Sequence, residues 1–319
     1  MISKPAFASR FWLFFLQPAS LVPFVFLRVS FAVFSLCMCI ALYPYLYSLH
    51  GNEGYMQWVI TDGVFKKDWI PNLHDLYSWV NHFVAVTDVQ VIRVAWLLYM
   101  FCLLCIAAGF FSNYMAAVAW LLHLLFLNTA NIYGYGVETF THILLFYFIF
   151  MPVDSSVSIT SFIRKRRSTH PVKQRRRRVS ARIFLRLLQL HLCIIYVNAG
   201  VAKMFGSQWY NGEAVWRSFT QFRFNTIDLT WMAFYPFIPV VAGWLVLITE
   251  ALYPVFIWLP ATRKWFLTAI IVMHFCIGFI MGLYFFSTIM VIMNLAAFGF
   301  TNNVEQTATN KNVQLPAAP

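Results

Sequence analysis

The chain contains a series of apolar segments of membrane-spanning length, and this feature restricts the fold more than any other. A helix needs about 20 mostly apolar residues to cross a bilayer. Hydrophobic residues make up 61% of the sequence and charged residues 11%, whereas soluble domains carry about 45–50% and about 25%. Because backbone polar groups in hydrocarbon must be satisfied within the segment, we predict an all-α integral membrane protein.

The apolar segments predict a polytopic bundle of about eight transmembrane helices. The expected spans are 21–47, 90–111, 113–129, 137–152, 183–204, 237–259, 265–282 and 284–300. The expected domain organisation is an N-terminal interfacial segment over 1–20, a single transmembrane domain over 21–300 and a flexible cytoplasmic tail over 301–319.

Positive charge is concentrated in one connection between the predicted spans. Of the 23 Lys and Arg residues, 11 fall between Arg164 and Arg186. Such a run is also found in nucleic-acid-binding proteins, but in a membrane protein it is typical of a cytoplasmic loop that touches anionic lipid. We therefore predict a multi-pass protein of the plasma (inner) membrane with both termini cytoplasmic and no nucleic-acid partner. Segments 48–89 and 205–236 would lie outside.

Charged residues within the predicted spans include Arg28, Lys203 and Glu250. An ion in hydrocarbon is costly, so it is usually paired, faces a cavity or performs chemistry. Glu250 has no neighbouring cation on its own helix, and we predict a structural ion pair between Arg28 and Glu250. For Lys203 two interpretations are open, snorkelling to the nearby interface or a functional site.

The segment that ends at Lys203 is polar on two sides. Tyr196 and Lys203 are seven residues apart and share one helical face, and Asn198 lies on another. A helix with this pattern is expected to lie centrally in the bundle. His274, in the middle of a later span, is either a packing residue or part of a site. No histidine or carboxylate pattern predicts a metal centre.

Several blocks of residues occur in an order known from one family of membrane enzymes. They are Phe26-Leu-Arg28, Asn128 to Gly136, Tyr196-Val-Asn-Ala-Gly-Val-Ala-Lys203 followed by Trp209 and Gly212, Glu250-Ala-Leu-Tyr-Pro254, and Arg263 followed by His274. Together they resemble the horizontally transferred transmembrane (HTTM) superfamily, the family of the vitamin K-dependent gamma-carboxylase membrane domain. The resemblance covers roughly residues 20–300.

The resemblance implies roles for individual residues. In the carboxylase the lysine of the Ala-Gly-x-x-Lys segment is the base that deprotonates a reduced quinone. That role would fall to Lys203, with His274 as a supporting catalytic group and a reduced quinone as cofactor. Tyr196, Asn198 and Trp209 would then line the substrate site. A neutral amine is a competent general base.

The chain departs from the carboxylase at its end, because only about 20 residues follow the last predicted span. The large luminal domain that holds the carboxylase substrate is not expected here. In length the chain is similar to short bacterial members of the sporulation-delaying-protein B type, which act with partner proteins to mature a secreted toxic peptide.

Three hypotheses about function follow. The chain is an enzyme acting on a peptide, protein or lipid-soluble substrate at the extracytoplasmic face, or a non-catalytic maturation or assembly partner for a secreted peptide. The third is a small transporter, with Arg28, Glu250 and His274 as a proton relay.

Overall fold

The computed structural model describes residues 12, 14–64, 69–130, 134–153, 158–160, 171–221 and 226–300, with only the backbone given over 171–178. Over these ranges the chain is helical, with no β-strand. Five helices are long and apolar enough to cross a membrane: Val22–His50, Asp88–Ala108, Val179–Met204, Phe237–Phe256 and Pro260–Met281. This confirms the prediction of an all-helical fold and indicates a membrane protein.

The chain divides into two compact units. The amino-terminal unit is Phe24–Arg177, and the carboxy-terminal unit combines Met1–Pro23 with Arg178–Pro319. The first contains α1 (Val22–Leu42), a 3₁₀ turn (Tyr43–Tyr45), α2 (Leu46–His50), α3 (Trp58–Val64), α4 (Leu73–Phe83), α5 (Asp88–Ala108), α6 (Ser112–Thr129) and α7 (Val137–Phe150). The second contains α8 (Pro171–Met204), α9 (Ser207–Tyr210), α10 (Glu213–Thr220), a 3₁₀ turn (Thr230–Phe234), α11 (Phe237–Phe256), α12 (Pro260–Met281), α13 (Tyr284–Asn294) and a π-helical turn (Leu295–Gly299).

The remaining predicted spans correspond to shorter helices. Segments 137–152 and 284–300 match the apolar helices Val137–Phe150 and Tyr284–Gly299, and segment 113–129 matches α6. The count of eight crossings stays a prediction, as does the single domain over 21–300. The predicted tail, 301–319, lies outside the described residues.

Local sequence signals explain where α5 begins and ends. The Thr87 hydroxyl accepts from the backbone of Gln90 (3.3 Å), and the Gln90 side chain accepts from the backbone of Thr87 (2.9 Å), forming a capping box. At the other end Gly109 takes a left-handed conformation (φ 72°), and Phe110 donates to the carbonyl of Cys105 (2.8 Å). This turn lets α6 follow and pack against α5.

The turn at Gly109 also receives the buried arginine of α1. Arg28 is 2% exposed, and its guanidinium donates to the carbonyl of Val153 (3.3 Å). A Cβ at Gly109 would collide with that guanidinium. Glycine is therefore required here both for the left-handed backbone and for the space that Arg28 occupies.

A close helix approach in the carboxy-terminal unit positions the candidate site. A Cβ placed on Gly200 in α8 would lie 2.8 Å from the backbone nitrogen of Ala251 in α11. Small residues allow helix backbones to approach in this way. Lys203 lies one turn beyond Gly200, and Glu250 precedes Ala251. The contact therefore brings these two charged residues to the same level of the bundle.

Candidate functional site

The core of the candidate site is an ion pair between α8 and α11. Nζ of Lys203 lies 2.5 Å from Oε2 of Glu250, and the two side chains are 20% and 7% exposed. Removing a charge from water is costly unless an opposite charge and hydrogen bonds compensate it. Each group supplies that compensation for the other.

This pair corrects the partner predicted for Glu250. The sequence interpretation assigned Arg28 to Glu250, but the structure gives Glu250 the ammonium of Lys203. Arg28 belongs to the amino-terminal unit and donates to a backbone carbonyl, that of Val153. The physical reason is the close approach at Gly200, which aligns the last turn of α8 with Glu250.

An aromatic ring covers part of the lysine. Nζ of Lys203 lies 5.1 Å from the ring centroid of Trp209 in α9, within the range of a cation–π interaction. The ammonium thus lies between a carboxylate and an aromatic face. Lys203 is the more exposed of the two charged side chains.

A buried hydrogen-bonded network lies next to the ion pair. The Tyr253 hydroxyl donates to Oδ1 of Asn294 (2.7 Å), and Nδ2 of Asn294 donates to the Tyr196 hydroxyl (2.8 Å). The Tyr196 hydroxyl and Nε2 of His274 are 2.9 Å apart. All four side chains are buried. The π-helical turn begins directly after Asn294, and such turns are frequent at functional sites.

The network has a direction. Since the Tyr196 hydroxyl accepts from Asn294, Nε2 of His274 is the acceptor that the network offers for the Tyr196 proton. That inferred arrangement places the imidazole proton on Nδ1. Among the described residues, this buried Nδ1 has no hydrogen-bond partner. An unsatisfied buried donor of this kind is costly and calls for a partner.

The ion pair and the network belong to one polar column inside apolar helices. Tyr196 precedes Lys203 by seven residues on α8, and Tyr253 follows Glu250 by three on α11, which corresponds to about 10 and about 4.5 Å along the helix axes. The ion pair and the network also interact electrostatically. The charge of Glu250 affects Tyr196, and the charge of Lys203 affects His274.

The structure brings together five of the predicted site residues, namely Lys203, Glu250, Tyr196, His274 and Trp209. Tyr196 and His274 share a hydrogen bond, and Trp209 covers Lys203. Asn198 is exposed and lies on another face of α8, so it does not join the cluster. Its role in substrate binding stays a prediction.

Two members of the network, Tyr253 and Asn294, were not predicted. Asn294 is an amide in an otherwise apolar segment, and Tyr253 stands one turn after Glu250. Both signals are visible in the sequence, but neither reveals the partner. Among the described residues, no group of three or more His, Cys, Asp or Glu is placed to hold a metal ion.

No model of a known protein family, no curated protein and no solved structure matches the chain.

Proposed function

We propose that this protein modifies or matures a peptide, protein or lipid-soluble substrate at the extracytoplasmic face of the plasma (inner) membrane, with Lys203 as the proton-accepting group. The observation that carries the proposal is a partly exposed lysine, ion-paired with a more buried Glu250 and covered by the ring of Trp209. An intramembrane ionisable residue is by default a functional-site hypothesis.

The pair can supply a neutral amine without separating. A proton that moves from the ammonium of Lys203 to the carboxylate of Glu250 leaves an amine beside a carboxylic acid, and the hydrogen bond between them is kept. The transfer leaves the net charge of the pair at zero. The amine then accepts a proton from a substrate, and Glu250 holds the proton that Lys203 released.

The neighbouring network supports this change of charge. Lys203 and Glu250 interact electrostatically with His274 and Tyr196. Hydroxyl and imidazole groups held in fixed orientations stabilise charge without having to reorganise. In this proposal His274 and Tyr196 act through the ion pair and do not themselves take the substrate's proton.

A reduced quinone is the cofactor implied by the resemblance to the HTTM superfamily, a membership that we also propose. The resemblance would place that molecule beside the partly exposed ammonium of Lys203 and the ring of Trp209. When bound, such a group supplies an oxidisable hydroxyl next to the lysine. The contribution of this chain is to orient that hydroxyl and to accept its proton.

The experiment compares secreted peptides and membrane lipids by mass spectrometry. A strain lacking the gene is complemented with the wild type, with Lys203→Met or with Lys264→Met, a matched change at an exposed lysine. We expect a mass change in one secreted or lipid-soluble species that requires the wild type or Lys264→Met. It should disappear with Lys203→Met when the signal is normalised to the amount of each protein in the membrane. The proposal is contradicted if no secreted or lipid-soluble species changes in the deletion strain. It is also contradicted if Lys203→Met fully restores the species that changes.

A second candidate is a non-catalytic maturation partner that presents a secreted peptide to an accessory protein. The observation favouring it is that Lys203 and Glu250 satisfy each other, as a structural pair would. This role requires a cation at position 203 but no proton transfer. Co-purification of a peptide or protein that survives Lys203→Arg, together with unchanged maturation, would favour it.

A further inference from the structure

A second polar site lies in the amino-terminal unit, far along the chain from Lys203. Here a cavity of about 400 Å³ is formed where α2, α3, α4 and the start of α5 meet. Its lining includes Tyr47, Glu53, Trp58, His74, Tyr77 and Asp88. Ligand pockets in proteins measure about 300–1,000 Å³, so the cavity has the size of a small-molecule site.

Aromatic rings form one wall of the cavity. Trp58 is 3% exposed, and its indole N–H donates to the carbonyl of His50 (2.9 Å), which fixes the ring. The ring stacks on His74 (centroids 5.1 Å apart) and contacts Tyr77 (5.6 Å). His74 is itself held by Asp62 at 2.6 Å. The wall therefore consists of aromatic side chains that hold one another in place.

Two carboxylates, Glu53 and Asp88, also line the cavity. Asp88 accepts from the Tyr47 hydroxyl (3.1 Å) and from the backbone of Asn52 (3.2 Å). Over the described ranges of the chain, neither Asp88 nor Glu53 has an ion-pair partner. Two negative charges beside an aromatic wall make the cavity attractive to a cation.

We propose that this cavity binds a small organic ammonium ion. Ring faces attract ammonium groups through the negative face of the π-system, and aromatic sites are the usual means of recognising alkylated ammonium ions. A calcium or magnesium ion instead requires about six or more oxygen ligands, and the rings of Trp58 and His74 supply none. The proposal is independent of the function assigned to Lys203.

Two sources could supply the ammonium group, a soluble amine or a lipid headgroup. The cavity begins at Tyr47, near the end of the first apolar segment Val22–His50. A headgroup at the membrane surface and a dissolved molecule share the same chemistry. The lipid composition of the test membrane distinguishes them.

The experiment measures binding of tetramethylammonium to the full chain by calorimetry in nanodiscs of phosphatidylglycerol, which carries no ammonium group. Tert-butyl alcohol, of similar shape but uncharged, serves as the ligand control. We expect saturable binding of the cation only. Binding of about tenfold lower affinity is expected for Tyr77→Leu and for Glu53→Gln.

Trp79→Leu is the matched control variant, because Trp79 lies on the same helix as Tyr77 but is 65% exposed. It should bind as the wild type does. Weaker binding in phosphatidylcholine nanodiscs identifies the lipid headgroup as the occupant, and equal binding identifies a soluble amine. No saturable binding of tetramethylammonium, equal affinity in all variants, or binding of Ca²⁺ alone overturns the proposal.

Discussion

The Lys203–Glu250 pair should contribute strongly to the stability of the carboxy-terminal unit. Lys203→Met keeps an unbranched side chain that is one atom shorter and removes the ammonium. Glu250, 7% exposed, then loses its ion-pair partner. Breaking a buried pair from one side costs about 3–5 kcal/mol. The carboxyl group can limit this loss by taking up a proton, which at pH 7 costs about 3.7 kcal/mol for an acid that titrates near 4.3 in water. We therefore expect the free energy of unfolding to fall by about 3–4 kcal/mol.

A double variant separates loss of the pair from loss of packing. Lys203→Met combined with Glu250→Leu replaces two ions by apolar side chains, which is often neutral for stability. We expect the double variant to be more stable than Lys203→Met alone and the interaction energy of the cycle to be about 2–3 kcal/mol.

The assay is equilibrium unfolding of the purified protein in mixed micelles with increasing dodecyl sulfate, at pH 7. Lys264→Met, at an exposed position, is the control and should stay within about 0.5 kcal/mol of the wild type. If Lys203→Met unfolds at the same denaturant concentration as the control, the ammonium does not compensate Glu250. Snorkelling to the interface would then be the better account of the lysine.

Three further predictions concern packing, the hydrogen-bonded network and topology. Gly200→Leu should abolish folding, as judged by size-exclusion chromatography, because a Cβ at this position collides with the backbone of α11. The control Gly63→Leu, with open space at its Cβ, should elute as the wild type does. If the two variants elute alike, the close approach of α8 and α11 is contradicted. Asn294→Leu removes a hydrogen-bond partner from two buried tyrosine hydroxyls and should cost about 2–5 kcal/mol in the same unfolding assay; a loss below 1 kcal/mol speaks against the network. Cysteines introduced at Asn52 and Ser168 should react with a membrane-impermeant maleimide from opposite sides, and labelling from one side would refute the predicted orientation.

The helices could be predicted from the sequence because their signals are local. The run of apolar residues predicts α5, and the Thr87 and Gln90 pair marks its beginning. The same holds for α11, where the predicted segment 237–259 contains the observed helix Phe237–Phe256. Hydrophobicity and capping act within one segment, so a single sequence contains the information that they need.

The contacts between helices could not be predicted in the same way. Helical periodicity placed Tyr196 and Lys203 on one face, and in the structure both contact neighbouring helices. Periodicity does not show which helices that face contacts. Glu250 was therefore assigned to Arg28 instead of Lys203. Asn294 was missed for the same reason, because its importance comes from Tyr196 and Tyr253 on two other helices.

The most direct test of the central claim is the activity of Lys203→Arg in the complemented deletion strain. Arginine keeps a positive charge beside Glu250 but does not release its proton in proteins. The proposed chemistry requires that release, so we predict a protein present at wild-type abundance in the membrane that no longer produces the modified species. Full production of that species by Lys203→Arg would contradict the claim that Lys203 accepts a proton.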